Sequence, residues 1–153
     1  MDKEENREIK FLAWDKLGKR MCHLISISYS SYNLEEKNDK CEIFWENGMF
    51  NESVWREANE VILLQFTGFK DKNGKDIYEG DICKWEEMSG IIELEKKGFV
   101  RFDGGRFEVG NHNGYGGSWD DLGILLQSYW NNKKEHDTFE VIGNIYENKE
   151  LLE

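Results

Sequence analysis

The chain has 153 residues, 39% hydrophobic and 14% aromatic, with 31 acidic against 20 basic side chains and a formal net charge of −11. A chain so rich in aromatics can bury a core, which excludes intrinsic disorder, and its acidity disfavours nucleic acid phosphates and anionic membranes as default partners. No apolar run approaches the ~20 residues of a membrane-spanning helix, and three scattered cysteines (Cys22, Cys41, Cys83) behind a charged start without a secretory leader point to the cytoplasm.

In chain order, "EIKFLAW" (Glu8 to Trp14) reads as a strand that stops at a Gly-containing turn, with "MCHLISISY" (Met21 to Tyr29) as its return. "CEIFW" (Cys41 to Trp45) is a further strand, followed by an Asn-Gly turn; Glu52 to Asn59 fits one helical turn or an edge strand equally. "VILLQF" (Val61 to Phe66) has the composition of a buried strand, and Thr67-Gly68 is expected to end it. Asn73-Gly74 marks a turn, and Gly80-Asp81 opens a strand over Ile82 to Trp85. The rhythm then becomes strand and turn: "GIIELE", a turn at Lys96-Lys97-Gly98, "FVRFD", a turn at Gly104-Gly105, and "RFEVG". This spacing predicts a small antiparallel barrel or sandwich. In the insertion that follows, Ser118 and Asp121 match a capping pattern, and Trp119 to Trp130 is expected to be one helix with Leu122, Leu125, Leu126 and Tyr129 along its apolar stripe. "TFEVIGNIYEN" closes the chain as a strand in which Gly143 marks a bulge.

Three segments, "REIKFLAWD", "LLQFTGFKDKNGKDIYEGDI" and "FEVIGNIYENKELL", occur in the order seen in YopX-like proteins, and on them the chain resembles that family over almost its whole length. The resemblance implies a phage- or prophage-encoded product of the bacterial cytoplasm, a fold that includes a small SH3-like barrel, and homo-oligomers. It brings no catalytic residues, because no biochemical activity is established for the family. Lys149 stands where the family often has proline before the terminal "ELL". The resulting expectation is a mainly β (α+β) protein. Its N-terminal lobe of antiparallel strands (1–62) packs on a C-terminal SH3-like barrel (63–153) with one inserted helix. Phe66, Phe69, Ile77, Tyr78 and Ile82 fill core or seam positions, and Gly68, Gly74 and Gly80 turn the backbone.

Reaction chemistry is not spelled out. Cys22, Cys41, Cys83, His23, His112 and His136 lack Cys-x-x-Cys or His-x-x-x-His spacing, so no metal site is expected. Cys22 and His23 adjoin on a strand and point to opposite faces, which rules out a nucleophile and base dyad. "GNHNGYGGSWDD" lacks the Gly-Lys-Ser/Thr ending of a phosphate loop and the strand-then-GxGxxG order of a dinucleotide site, so no cofactor is expected. Asp120 and Asp121 are expected in the first turn of the helix, where its dipole favours negative charge.

Two surface candidates remain. One is a contact patch of Asn111, His112, Tyr115 and Trp119 in and beside the Gly-rich loop; the other is a binding turn of Lys70, Lys72, Asn73 and Lys75. With six tryptophans and nine phenylalanines and no reaction motif, the expected function is a non-enzymatic module that contacts a protein partner or a second copy of itself. The alternatives are a nucleic-acid-binding small barrel, using Lys70, Lys72, Lys75, Lys96, Lys97, Arg101 and Arg106, and an acidic DNA mimic that inhibits a host enzyme.

Overall fold

A computed structural model of the chain describes residues 8–28, 40–47, 50–89, 92–111, 118–131 and 138–153. The fold is mainly β, and its contacts divide it into two compact units, one covering Ile9–Gln65 and one built on Phe66–Glu153.

The first unit is an antiparallel sheet of β1 (Phe11–Asp15), β2 (Arg20–Ser28), β3 (Lys40–Asn47), β4 (Phe50–Glu57) and the start of β5 (Val61–Lys70), in the order β4-β3-β2-β1-β5. Alternation sends Ala13, Cys22, Cys41, Ile43 and Val61 to one buried face, with Leu24, Ile27, Val54 and Leu63 packed against them. Residues 52–59 combine both readings the sequence allowed: strand to Glu57, then one 3-10 turn over Ala58–Glu60. That turn joins β4 to β5, the two outer strands of the ladder. Four strand spacings of a flat sheet cover about 19 Å. The four Cα steps from Glu57 to Val61 reach about 15 Å at most. The sheet must therefore curl until its edges approach.

In the second unit the remainder of β5 pairs with β6 (Asp76–Tyr78), and five strands form the order β10-β9-β8-β7-β11: β7 (Asp81–Ser89), β8 (Ile92–Asp103), β9 (Arg106–Gly110), β10 (Trp119–Asp121) and β11 (Glu140–Asn144). Between β10 and β11 lies α1 (Leu122–Asn131), whose Leu122 and Leu126 are buried among Ile77, Cys83, Trp85, Val100, Phe107, Val109, Phe139 and Val141, with Phe69 and Leu125 half-buried beside them. The unit thus repeats the connectivity of the first: a four-strand meander, a helical connector, and a fifth strand beside the first. Its ladders end at β10 and β11, and among the described residues no pairing joins those edges into a closed barrel.

Several local expectations are corrected. Thr67-Gly68 does not end β5; the strand runs on to Lys70 through an irregularity between Phe66 and Lys70, where Gly68 takes φ +90. Lys96-Lys97-Gly98 is not a turn, because β8 is continuous through it. Gly98 is needed there for proximity, since a Cβ would come within 2.5 Å of the Gly110 carbonyl oxygen. Trp119–Asp121 is strand rather than the first helical turn, so Asp120 and Asp121 precede α1, and Asp121 alone caps it by accepting the Ile124 N–H at 2.9 Å. Phe102 is 49% exposed and stacks edge-on against the buried Phe107. Gly143 does lie at a register shift, between Val141 and its own position in β11.

Candidate functional site: a knotted signature segment and a charged sheet face

The turn between β5 and β6 is built on Asp71. This side chain is buried; Oδ1 accepts the backbone N–H groups of Asn73 (2.8 Å) and Lys75 (2.9 Å), and Oδ2 accepts that of Val141 (3.1 Å). Lys72 N–H donates to the Phe139 carbonyl at 2.9 Å, so the turn is tied to β11 from both sides. Gly74 takes φ +81 at the tip. The residues of the expected binding turn take part in a structural clasp: Lys70 pairs with Asp76, Lys72 Nζ meets Glu140 at 2.7 Å, Asn73 serves through its backbone, and Lys75 closes the loop by its N–H. Thr67 Oγ1 donates to the Ile77 carbonyl at 2.8 Å, a further link between β5 and β6.

Beside it lies a second knot. Asp81 is buried, its Oδ2 accepting the Tyr78 N–H (2.8 Å) and its Oδ1 the Asn144 side-chain amide (3.2 Å). Asn144 in turn accepts the Tyr146 N–H at 3.0 Å, and Ile145 N–H donates to the Gly80 carbonyl at 2.9 Å. Gly80 has φ +82, and a Cβ on it would press Tyr146 at 3.1 Å. "EGDI" and "GNIYEN" thus interlock. Burial raises the Asp81 carboxyl to about 6, partly offset by the hydrogen bonds from Tyr78 and Asn144.

On the sheet face shared by Phe99, Arg101, Glu108 and Trp119, one buried carboxylate holds two guanidinium groups. Glu108 accepts from Arg101 at 2.8 Å and from Arg106 at 2.8 Å, and Arg101 followed by Arg106 pulls its pKa below the usual glutamate range. Arg101 also lies 3.7 Å from the Trp119 ring centre, and Phe99 meets that ring edge-on at 5.1 Å. Of the expected contact patch, Trp119 is taken up in this stack and Asn111 lies half-buried just after β9, while His112 and Tyr115 fall outside the described residues.

The first unit has its own lock. Asp15 is fully buried, and Arg56 grips it with both ends of its fork, Nε to Oδ1 at 3.0 Å and a terminal nitrogen to Oδ2 at 3.1 Å. Burial pushes the Asp15 carboxyl up, but Arg56 and the Gly18 and Leu17 N–H groups outweigh it, so its pKa falls below the ordinary value. Cys22 is buried while His23 is exposed, on opposite faces of β2. Sequence reasoning missed Asp15, Arg56, Asp71, Asp81 and Asn144. Only Asp71, two residues before Asn73-Gly74, gave a readable signal, since an Asx side chain there bonds the backbone ahead of it.

These acids are spread over both units, each consumed by backbone or guanidinium donors, and among the described residues no group of three His, Cys, Asp or Glu could hold a metal ion. Among the described residues no helix is long and apolar enough to cross a membrane.

No curated protein matches the chain. It is similar to the crystal structure of protein EF1440 from Enterococcus faecalis, with 25% identity, a TM-score of 0.57, and 95% of this chain and 99% of that chain covered. It is also similar to protein yopX from Bacillus subtilis, with 25% identity, a TM-score of 0.54, and coverage of 94% and 98%. The family model for YopX protein matches residues 10–153, and the two interlocked segments described above lie within that match, so the chain belongs to the YopX family.

Proposed function

We propose that this chain is a non-enzymatic, phage- or prophage-encoded module of the bacterial cytoplasm that works by protein contact, beginning with copies of itself. The observation that carries this reading is where the polar groups of "FTGFKDKNGKDIYEGDI" go. Asp71, Asp81 and Thr67 turn inward onto backbone partners, and Lys70 and Lys72 onto carboxylates, so the segment builds the fold. What remains for recognition is surface, and it carries large apolar side chains in water: Ile25, Trp55 (50% exposed), Leu94 and Phe102.

Sedimentation of the full chain across a concentration series, joined to affinity capture from infected cells, tests it. Concentration-dependent association or a stoichiometric protein partner is the expected result; a chain that stays monomeric and captures nothing overturns the reading. The nucleic-acid alternative is less well supported, because Lys70, Lys72, Lys96, Arg101 and Arg106 each meet a carboxylate. Retention of single-stranded DNA on a filter at low salt, falling steeply as salt rises, would restore it.

A further inference from the structure

β8 is partnered along its whole length on one side only. β7 accompanies it from Phe99 back to Ile92, whereas β9 pairs with it from Asp103 to Phe99 and stops where Phe99 meets Gly110. The β8–β9 hairpin fixes which way the backbone of the remainder faces. Gly104 and Gly105 take φ +58 and +86, as a type I′ turn requires, so Asp103 and Arg106 exchange both hydrogen bonds. Bonded pairs then alternate along an antiparallel ladder, Arg101 with Glu108 and Phe99 with Gly110. Odd-numbered residues of β8 therefore turn N–H and C=O toward the β9 side and even-numbered ones toward β7. Glu95 and Lys97, both exposed, present these groups to a lane that no strand occupies among the described residues.

The same two residues line a groove of about 550 Å³, to which Leu151 and Leu152 add apolar wall. Its charge is unbalanced. Lys96 is taken by Glu87 at 3.2 Å, which leaves the carboxylates of Glu95, Asp120 and Glu153 against the ammonium of Lys97. An occupant has to supply a row of backbone donors and acceptors, which a nucleic acid lacks, and positive charge, of which a second copy of this chain at −11 has no surplus.

We propose that this edge accepts an extended, basic segment of another protein as an added strand, with its main chain on Glu95 and Lys97 and its lysine or arginine side chains toward Glu95, Asp120 and Glu153. The inference rests on the protein-contact reading above and names a surface and a partner chemistry for it. Backbone pairing supplies the affinity, and the surplus of carboxylates selects the charge of the segment.

Fluorescence anisotropy on the full chain at low salt tests this, with a short labelled peptide of alternating lysine and valine as the probe. Saturable binding is expected, weaker by roughly tenfold or more for a glutamate-valine peptide and for the lysine peptide methylated on every backbone nitrogen, which keeps its charge and loses its donors. Position 97 separates backbone from charge. Lys97→Gln removes the groove's spare cation and is expected to tighten the probe up to about threefold, whereas Lys97→Pro also deletes the N–H facing the lane and is expected to weaken it roughly tenfold. That N–H takes no part in the β7–β8 ladder, so Lys97→Pro should melt like the unaltered chain. Should it not, Asp120→Lys, at an exposed position, is expected to weaken the probe by a similar factor. Equal binding of the lysine and glutamate peptides, full binding of the methylated peptide, or unchanged affinity in a well-folded Lys97→Pro or Asp120→Lys chain overturns the proposal. Self-association that Lys97→Pro abolishes would make a second copy the occupant and overturns it too. If no peptide binds at about 1 mM, the edge proposal is overturned, and protein contact as such is decided by the capture experiment.

Discussion

The two units share one strand order and close it by different means. In Ile9–Gln65 the connector between the outer strands is a single 3-10 turn, too short to cover anything, so the sheet curls and the charged clasp of Arg56 on Asp15 spans it. In Phe66–Glu153 the connector contains a ten-residue helix, and an apolar stripe of Leu122 and Leu126 covers the sheet instead. The lesson is that connector length decides which force finishes a small β unit: with no covering layer, a buried ion pair has to hold the curl, and with one, hydrophobic burial does.

The sharpest break in that comparison is Arg56→Leu. Asp15 keeps the N–H groups of Leu17 and Gly18 and the longer contact to Arg20 at 3.6 Å but loses the fork, and breaking a buried ion pair from one side costs about 3–4 kcal/mol. Chemical denaturation should show that loss. Amide exchange should place the weakened protection in β1 to β4, and Asp15→Asn on top of Arg56→Leu should recover part of it. A loss spread evenly over β7 to β11 would deny the clasp its local role. Next in size is Asp71→Ala, which strands the N–H groups of Asn73, Lys75 and Val141 and is expected to cost about 3 kcal/mol, read from denaturation and centred on β6 and β11.

The units also differ in their response to pH. Asp15 has a lowered pKa in the fold, so its contribution is present above the ordinary carboxylate range and is lost on acidification. Asp81 runs the other way. Its folded value of about 6 lies above the ordinary aspartate value of 3.8, so it favours folding below about 4, and that contribution is lost as pH rises through 6. The difference amounts to about 3 kcal/mol between those limits. Denaturation of the unaltered chain and of Asp81→Asn at closely spaced pH values checks it: the variant should show a flatter profile from pH 4 to 6.5, and parallel profiles would contradict the assignment.

Much of the fold was legible because it is written locally. Alternation in "EVIGN" and "RFEVG", the Asn73-Gly74 and Gly104-Gly105 turns, and the Leu122/Leu126 spacing each act within a few residues. The β8 error shows the limit. Lys96-Lys97-Gly98 has turn composition, but the small residue is required by Gly110, twelve positions further on, which no short window contains. The repeated connectivity was likewise invisible, since it lies in ladder order and not in similar residues. Lys70 and Lys72 look solvated in sequence, and their acidic partners Asp76 and Glu140 become evident only when β6 and β11 are placed.

The central claim is that the segment from Phe66 to Ile82 builds the molecule and leaves recognition to other surface. Replacing Lys70, Lys72 and Lys75 together with alanine tests it most directly, by denaturation and by sedimentation or partner capture on the same preparation. Exposed ion pairs of this kind are worth about 0.2–1 kcal/mol each, so a small stability loss with association and capture unchanged is the predicted result. Loss of binding in a variant that melts like the unaltered chain would contradict it.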